Sequence, residues 1–178
     1  MNENAVRRKL KETIRRYGTR DPFEIARARG IQVRYLPMQV QKGFSVGVLK
    51  NYFIYINENL SEQMQRTSCA HELAHVLLHK NYLDESPRLM NMSRFEMSSQ
   101  TEYEADLFAA LLLIEDDELI ACLRQGMDIA SAASCLNVNV NHVALKLAEM
   151  KRDGLPVNLP FTPDNRFLGR IEDRADAL

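Results

Sequence analysis

The sequence predicts an α+β protein in which a small three-stranded antiparallel sheet packs on a helical core. Apolar residues recur at helical spacing over residues 4–17, three short segments of strand character lie within residues 31–57, and long apolar helical segments follow from residue 61. A chain of 178 residues with 46% hydrophobic content can bury one core, so we expect one compact domain with a small helical appendage.

The domain organisation follows from composition along the chain. Residues 1–115 are predicted to form the main domain, which includes the N-terminal helices and the sheet. Residues 116–153 are predicted to form a helical subdomain with the length and spacing of a helix-turn-helix. Residues 154–178 contain several prolines and end in charged residues, so we expect an extended or partly disordered tail.

The first third of the chain is predicted to contain two helices and three strands. One helix covers residues 4–17, and a second begins at Asp21 and ends at Gly30, because aspartate caps helix starts and glycine ends helices. Strands are expected in the alternating segments IQVRYLP, FSVGVLK and YFIYIN. The last two segments are separated by so few residues that we expect a hairpin around Lys50 and Asn51.

The rest of the chain is predicted to be helical. Ser61 can cap a long helix that continues through His79. Residues 80–96 lack periodicity and are expected to form a long loop, of a length that is often functional. A helix from about residue 98 to 114 follows and is apolar on nearly all sides after Asp106, so it belongs in the core. Three shorter helices are predicted near residues 116–124, 128–135 and 139–152.

Composition excludes several classes of function. A net charge of -1 provides no field that would gather nucleic acid or an anionic membrane. The longest apolar run, LFAALLLI, is too short to cross a bilayer, and the N-terminus lacks the apolar core of a signal peptide. Cys69, Cys122 and Cys135 are odd in number and widely spaced, which disfavours a disulfide framework and suits a reducing cytoplasm. We therefore expect a cytoplasmic protein.

The segment SCAHELAHVLLH holds three of the four histidines of the chain. On a helix, His71 and His75 lie one turn apart on the same face, so both imidazoles can bind one ion, and zinc suits such ligands. Glu72 can then take a proton from an attacking water, as in a zinc metallopeptidase. His79 lies about 12 Å from His71 along the axis, too far to share the ion, and is assigned a structural role. Because so short a motif can occur by chance, the neighbouring segments must show whether it forms a metal site.

A catalytic zinc site needs a third protein ligand, and the segment QTEYEADLFAA offers Glu102 and Glu104. These residues differ by about 200° around a helix, so only one can face the metal. We favour Glu102, because the small residues on its face let this helix approach Ala70 and Ala74. Asp106, one turn after Glu102, can accept the second ring N–H of a ligating histidine. The alternative is that both glutamates face solvent in an ordinary first turn.

Six segments extend this pattern in order and spacing: DPFEIA, GIQVRYLPM, KGFSV, YFIYINENLSEQMQR, CAHELAHVLLH and EYEADLFAALLL. In them the chain resembles the ImmA/IrrE family of metallo-endopeptidases, gluzincin-like proteins of bacteria, phages and mobile elements. The resemblance implies a zinc-peptidase core and assigns functional residues: zinc ligands His71, His75 and Glu102, catalytic Glu72, and Asp106 at the Asn/Asp position that follows. Ala74 and Glu115 depart from the usual glycine and proline, and neither is a ligand.

The resemblance also implies a function: site-specific cleavage of a cytoplasmic helix-turn-helix repressor, which releases the genes of a mobile element, a phage or a stress response. The alternatives are a DNA-binding regulator on a protease-like fold and a metal-stabilised interaction module without catalysis. The intact Glu72 argues against both, since a structural zinc requires no general base. Direct DNA binding is also disfavoured because the candidate recognition helix, NVNHVALKLAEM, has one lysine and many apolar residues.

The substrate is expected to bind as an extended strand beside the hairpin of residues 44–56, where main-chain hydrogen bonds can align it. Selectivity is expected from docking of the repressor against the C-terminal helices or the 80–96 loop, because the near-neutral charge provides no general steering. Met90, Met92 and Met97 could line such a surface, although packing under the loop is the simpler role for each.

Overall fold

The computed structural model describes residues 3–84 and 99–154. In this part of the chain a three-stranded sheet is combined with eight helices, which confirms the α+β class. The elements are, in chain order, α1 (Glu3–Tyr17), α2 (Pro22–Ala28), β1 (Gln32–Leu36), β2 (Gly43–Val48), β3 (Asn51–Asn57), α3 (Glu62–Leu78), α4 (Lys80–Asp84), α5 (Ser99–Leu113), α6 (Asp116–Arg124), α7 (Ile129–Cys135) and α8 (Val140–Arg152).

The sheet is mixed, which corrects the prediction of a wholly antiparallel sheet. Its strand order is β1-β3-β2. The β2–β3 hairpin is antiparallel, whereas β1 runs parallel to β3, with Gln32 beside Phe53 at one end of the pair. Residues 37–42 therefore carry the chain across to the opposite edge of the sheet. Alternating apolar residues predict a strand but not its neighbour, so the sequence pattern does not distinguish this crossover from a simple meander.

Asn57, at the end of β3, fixes the crossing segment. Its side-chain amide donates hydrogen bonds to the carbonyl oxygens of Met38 (2.9 Å) and Gln41 (3.0 Å), and its side-chain oxygen accepts one from the Met38 amide (3.2 Å). The Asn57 main-chain amide donates to the Lys42 carbonyl at 2.9 Å. Because the Asn57 side chain is buried, these bonds satisfy its polar groups and set where β2 begins.

The β2–β3 hairpin turns at Leu49 and Lys50, one residue earlier than predicted. Both residues have positive φ, 49° and 65°. A two-residue type I′ turn requires this backbone at both positions and favours Asn-Gly, neither of which is present here. The turn is therefore specified by the pairing of its flanking strands and not by turn-forming residues.

Helix starts follow their predicted signals. Asp21 caps α2 by accepting hydrogen bonds from the amides of Phe23 and Glu24, and Ser61 caps α3 by accepting one from the amide of Met64. These bonds satisfy amides that have no partner within the helix. The seven predicted helices all occur, with ends within one or two residues of those expected.

The segment after α3 differs from its prediction where it can be described. Residues Lys80–Asp84 form the short helix α4, whereas a loop was expected from residue 80. The remainder of that predicted loop, with Met90, Met92 and Met97, lies outside the described residues, as does the predicted tail beyond Gly154. None of the helices in residues 3–84 and 99–154 has the length and apolar content needed to cross a membrane.

The centre of the core is the contact between α3 and α5. Ala70 and Ala74 on α3 and Ala105 and Ala109 on α5 are fully buried, as expected if small side chains let the two helices approach closely. The sheet packs on α3, and α1 and α8 pack on α5. The HELAH turn of α3 is therefore enclosed by secondary structure on several sides. The boundary predicted at residue 115 remains a prediction, although α8 shares this core.

Candidate metal centre

Side chains of α3 and α5 converge in the core as a cluster of His71, His75 and Glu102, here called the histidine–glutamate cluster. The Nε2 atoms of the two histidines are 3.0 Å apart. Glu102 Oε2 lies 3.4 Å from His71 Nε2, and Glu102 Oε1 lies 3.4 Å from His75 Nε2. Within residues 3–84 and 99–154, this is the one group of three or more His, Cys, Asp or Glu side chains arranged to hold a metal ion.

The spacing of these donor atoms fits a tetrahedral metal ion. Ligand atoms about 2.1 Å from a tetrahedral zinc lie about 3.4 Å from one another. The two Nε2 atoms are 3.0 Å apart, and each has one of the two Glu102 oxygens at 3.4 Å, distances close to that figure. Two imidazoles and one carboxylate are also a donor set that zinc takes in catalytic sites, where a fourth position stays open. The cluster is therefore compatible with a bound metal ion.

The cluster is open to solvent on one side. The His71 and His75 side chains are 5% and 4% exposed, whereas that of Glu102, in the first turn of α5, is 34% exposed. This difference follows from position, because the histidines lie in the second half of α3, which is buried throughout, and Glu102 lies in the first turn of α5. The Glu102 carboxylate is therefore the part of the cluster most accessible to solvent.

Asp106 contacts His71 through Nδ1, the ring nitrogen that is not part of the histidine–glutamate cluster. Its Oδ1 atom is 2.9 Å from His71 Nδ1, and both side chains are buried. When Nδ1 donates its hydrogen to this carboxylate, the tautomer is fixed and Nε2 presents its lone pair to the cluster. Asp106 thus occupies the position expected of a carboxylate that orients a ligating histidine.

The charges of the cluster stabilise one another. Burial opposes protonation of His71, but hydrogen bonds to Asp106 and Glu102 outweigh it and raise its pKa to about 10. Burial alone would raise the pKa of Glu102, but hydrogen bonds from His71 and His75 hold that pKa well below its usual range. A site that keeps a positive charge between two carboxylates is also suited electrostatically to a metal cation.

Glu72 lies between the cluster and the sheet. Its negative charge contributes to the raised pKa of His71, so its carboxylate is close to that ring. A Cβ atom added to Gly43 would lie 3.5 Å from Glu72 Cγ, 2.4 Å from Ser68 Oγ and 2.8 Å from the Tyr55 carbonyl oxygen. Glycine at position 43 is thus what lets the start of β2 approach α3 next to Glu72.

Glu104 points away from the cluster, as the argument from helix faces predicts. Its Oε2 atom is 3.5 Å from His79 Nε2, and its Oε1 atom accepts a 2.8 Å hydrogen bond from Gln100. Burial, together with the nearby His75, lowers the pKa of His79 to about 4. The alternative of a solvent-facing first turn is wrong for Glu104, which is fully buried. The sequence contains no clear signal for this His79–Glu104 contact.

Sequence reasoning also missed His142, the fourth histidine of the chain. It lies in α8, is fully buried, and is close enough to Asp106, His71 and Lys42 for their charges to act on its ring. No spacing rule links residue 142 to residue 106, because the proximity arises from the packing of α8 on α5. The proximity of His142 to Asp106 can therefore be seen only in the tertiary structure.

Comparisons with known proteins agree with the resemblance found in the sequence. Residues 26–148 match the model of the family Peptidase_M78, described as the IrrE N-terminal-like domain. The chain is also 29% identical over 114 residues to a protein of Bacillus phage phi105 named "Uncharacterized immunity region protein 2", a match that covers 62% of this chain and 69% of that protein. The family match covers more than half of the chain and includes α3 and α5. The resemblance to the ImmA/IrrE family is therefore confirmed, and the chain belongs to the Peptidase_M78 family.

Proposed function

We propose that this chain is a site-specific zinc endopeptidase that cleaves a helix-turn-helix transcriptional repressor and thereby releases the genes of a mobile element, a phage or a stress response. The observation that carries this proposal is the convergence of His71, His75 and Glu102 beside Glu72. Membership in a peptidase family supports peptide hydrolysis as the reaction. The nitrogen and oxygen donors support zinc as the metal.

His71, His75 and Glu102 are the proposed metal ligands. Zinc bound to them supplies a Lewis acid that polarises the scissile carbonyl group and makes an attacking water more acidic. Asp106 contributes by holding His71 in the tautomer whose Nε2 atom faces the cluster. Since both histidine rings are buried and packed, their donor atoms are held in place before substrate arrives.

Glu72 is the proposed general base. It follows His71 directly in α3, and its negative charge acts on the His71 ring, which supports a position of its carboxylate near the histidine–glutamate cluster. In peptide hydrolysis it would accept a proton from the attacking water and then transfer that proton to the leaving amine. Both transfers need the carboxylate within hydrogen-bond reach of the reacting atoms, which its position next to a ligating histidine supports.

The substrate is proposed to bind as an extended strand along β2. In the order β1-β3-β2, strand β2 is an edge of the sheet, and an extended peptide can pair with such an edge through main-chain hydrogen bonds. The close approach of Gly43 to Ser68 and Glu72 brings this edge to the proposed base. A peptide aligned on β2 would therefore have a carbonyl group near the cluster without strong demands on its side chains.

The identity of the substrate is inferred from context. The phage relative is named as an immunity region protein, which supports a regulatory protein as the substrate here. With a net charge of -1, the chain has no general electrostatic steering, so we infer that selectivity comes from docking of the repressor on a separate surface. The C-terminal helices are one candidate surface. The 80–96 loop is the other, and most of it lies outside the described residues.

The burial of α8 speaks against direct DNA binding as the function. Nearly every residue from Asn141 to Met150 is buried. Of its basic residues, Lys146 is buried and forms an ion pair with Asp116, Arg152 at its end forms one with Glu3, and Lys151 in the last turn is exposed. A recognition helix must present side chains to bases and phosphates, and this helix has its side chains engaged within the protein.

The proposal is tested with Glu72→Gln and with Glu62→Gln, an acidic residue near the exposed start of the same helix, as a matched control. Each protein is loaded with zinc and mixed with the co-encoded repressor and, separately, with casein. We expect about one zinc per chain in all forms and one dominant cut in the repressor, reduced at least about 100-fold in Glu72→Gln, in line with loss of a general base.

Mass spectrometry locates the cuts and metal analysis counts the zinc. Cleavage that persists in Glu72→Gln would contradict the role of the base, and loss of zinc from that variant would show that Glu72 is a ligand. Rapid, scattered cleavage of casein with the repressor left intact would contradict the proposed substrate. Glu62→Gln should match the unmodified chain in every measurement.

A further inference from the structure

His142 is a polar group enclosed in the core, and the described part of the chain offers it no hydrogen-bond partner. Its side chain is fully buried, and neither ring nitrogen has a partner among residues 3–84 and 99–154. Burying a polar group without such a partner costs free energy, so its presence in a packed core requires an explanation. An apolar residue of similar volume would otherwise serve better at this position in α8.

The surroundings of His142 are charged. Asp106 on α5, His71 on α3 and Lys42 at the start of β2 all lie close enough for their charges to act on the ring. Of the three, Asp106 has the largest effect, and it is the one that attracts a ring N–H. Since α8 packs directly on α5, His142 lies near the carboxylate that contacts His71.

The protonation state of His142 suits a donor role. Burial lowers its pKa to about 4, so at neutral pH the ring is uncharged and carries one N–H donor and one acceptor nitrogen. A carboxylate can accept several hydrogen bonds, and Asp106 Oδ1 accepts one from His71 at 2.9 Å. A neutral donor to the same carboxylate would add no further positive charge next to the histidine–glutamate cluster.

We propose that His142 is a positioning residue of the metal centre, which donates its ring N–H to Asp106 through one ordered water and so fixes the carboxylate that orients His71. This inference rests on the proposed function, because it concerns the same metal site. It gives α8 a role that the sequence did not suggest: the helix that resembles a DNA-recognition helix supports zinc binding from inside the core. The connection runs from α8 through α5 to α3.

The test measures the zinc affinity of the full chain by competition with a chromophoric chelator. His142→Leu fills the position with an apolar side chain and removes the N–H donor. His142→Asn and His142→Gln each retain an N–H donor, on a shorter and a longer side chain. Leu147→Ala, a buried position on the same helix, is the control for loss of core packing. Thermal unfolding of the metal-free proteins is recorded in parallel.

We expect His142→Leu to weaken zinc binding about 10- to 100-fold, as loss of an outer hydrogen-bond partner does. One of the two amide variants should recover most of the affinity. Leu147→Ala should lower the unfolding temperature but leave zinc affinity unchanged. Unchanged affinity in His142→Leu, failure of both amide variants to recover it, or an equal loss in Leu147→Ala would each overturn the proposal.

A double-mutant cycle separates action through Asp106 from a general effect. In an Asp106→Ala background, His142→Leu should change zinc affinity by less than about two-fold, because the residue it acts through is already absent. An undiminished effect in that background would overturn the proposal. If His142→Leu fails to fold, His142→Asn and His142→Gln are measured in the same cycle. The one that weakens zinc binding more should then change zinc affinity by less than about two-fold in the Asp106→Ala background.

The cycle also distinguishes this inference from the proposed function. If the unmodified chain binds no zinc, both fail together. If it binds zinc and Glu72→Gln abolishes cleavage while His142→Leu leaves the affinity unchanged, the proposed function stands and the role of His142 is refuted. The visible spectrum of the cobalt-substituted chain adds a readout independent of activity: His142→Leu should alter the cobalt bands, and Leu147→Ala should not.

Discussion

At the scale of single residues, two glutamates separated by one position have different environments. Glu102 contacts His71 and His75 and is partly exposed, whereas Glu104 contacts His79 and is fully buried. The cause is the rotation of about 200° that two residues make around a helix. One carboxylate is therefore directed to the proposed metal site and the other to the core.

This difference leads to opposite expectations for the two alanine variants. Glu102→Ala should weaken zinc binding by more than the roughly 10- to 100-fold that loss of an outer partner costs, because a ligand is removed. Glu104→Ala should retain zinc but lower the free energy of unfolding by about 1–3 kcal/mol, because it removes a buried carboxylate that contacts the buried His79.

Zinc competition titrations and urea denaturation of the metal-free chains measure the two quantities separately. Each variant serves as the control for the other, since both remove a carboxylate from the same turn of α5. Equal zinc affinity in the two variants would refute the assignment of Glu102 as the ligand.

At the scale of elements, the β2–β3 turn is formed by residues with little preference for it. Leu49 and Lys50 both have positive φ, and Leu49 is 92% exposed. An L-residue other than glycine pays about 1–2 kcal/mol for the left-handed helical backbone, less for asparagine. The hairpin persists because both its strands belong to the sheet and β3 is paired on both sides.

Replacing Leu49-Lys50 by Asn-Gly should therefore raise the free energy of unfolding by about 1–2 kcal/mol, since these residues adopt positive φ readily. Chemical denaturation monitored by circular dichroism measures the change. Leu49→Lys is the matched control, because it removes the exposed apolar side chain without relieving the backbone. An equal gain in the control would attribute the effect to surface hydrophobicity and not to φ.

The elements that could be predicted from the sequence are those with local signals. Helices are predictable from apolar spacing and from caps such as Asp21 and Ser61. The helical period alone also brings His71 and His75 onto one face, with Glu72 next to His71 in the sequence. Glu102 and Asp106 followed from the choice of one helix face. The parallel pairing of β1 was not predictable, because it depends on the crossover that Asn57 fixes. His142 and the His79–Glu104 contact depend on tertiary packing for the same reason.

At the scale of the whole molecule, the ends of the described chain are joined by ion pairs. Arg7 on α1 binds Glu149 of α8 and Asp153 just after it, and Arg152 on α8 binds Glu3 on α1. Both helices also pack on α5, whose first turn holds Glu102. The proposed metal would add a second connection at the centre, since its ligands come from α3 and α5.

Removal of zinc should therefore destabilise the entire chain and not the site alone. At free zinc about 100-fold above the dissociation constant, binding stabilises the folded state by about 2.7 kcal/mol, which corresponds to roughly 5–10 °C in unfolding temperature for a chain of this size. Differential scanning calorimetry with and without a chelator measures this difference. Glu102→Ala is the control, because a chain that has lost a ligand should show little response.

The difference in unfolding temperature between the zinc-bound and the metal-free chain should also increase with pH. The pKa of His71 is raised from 6.5 to about 10 in the folded metal-free chain, so its contribution to stability is fully present below pH 6.5 and is lost as pH rises towards 10. Zinc must displace that proton, so its apparent affinity increases over the same range. A gap in unfolding temperature that stays constant from pH 6.5 to about 8.5 would contradict this coupling.

Because the residues of the histidine–glutamate cluster come from one turn of each of two helices, the spacing within each turn limits how related sequences can diverge. His71 and His75 span one turn of α3, and Glu102 and Asp106 span one turn of α5. A single insertion or deletion within either turn would rotate one residue by about 100° away from its partner. Relatives can therefore differ at most positions and vary the lengths of their connections. Within these two five-residue windows, substitutions should be tolerated at positions other than His71, Glu72, His75, Glu102 and Asp106, but a change in length should not.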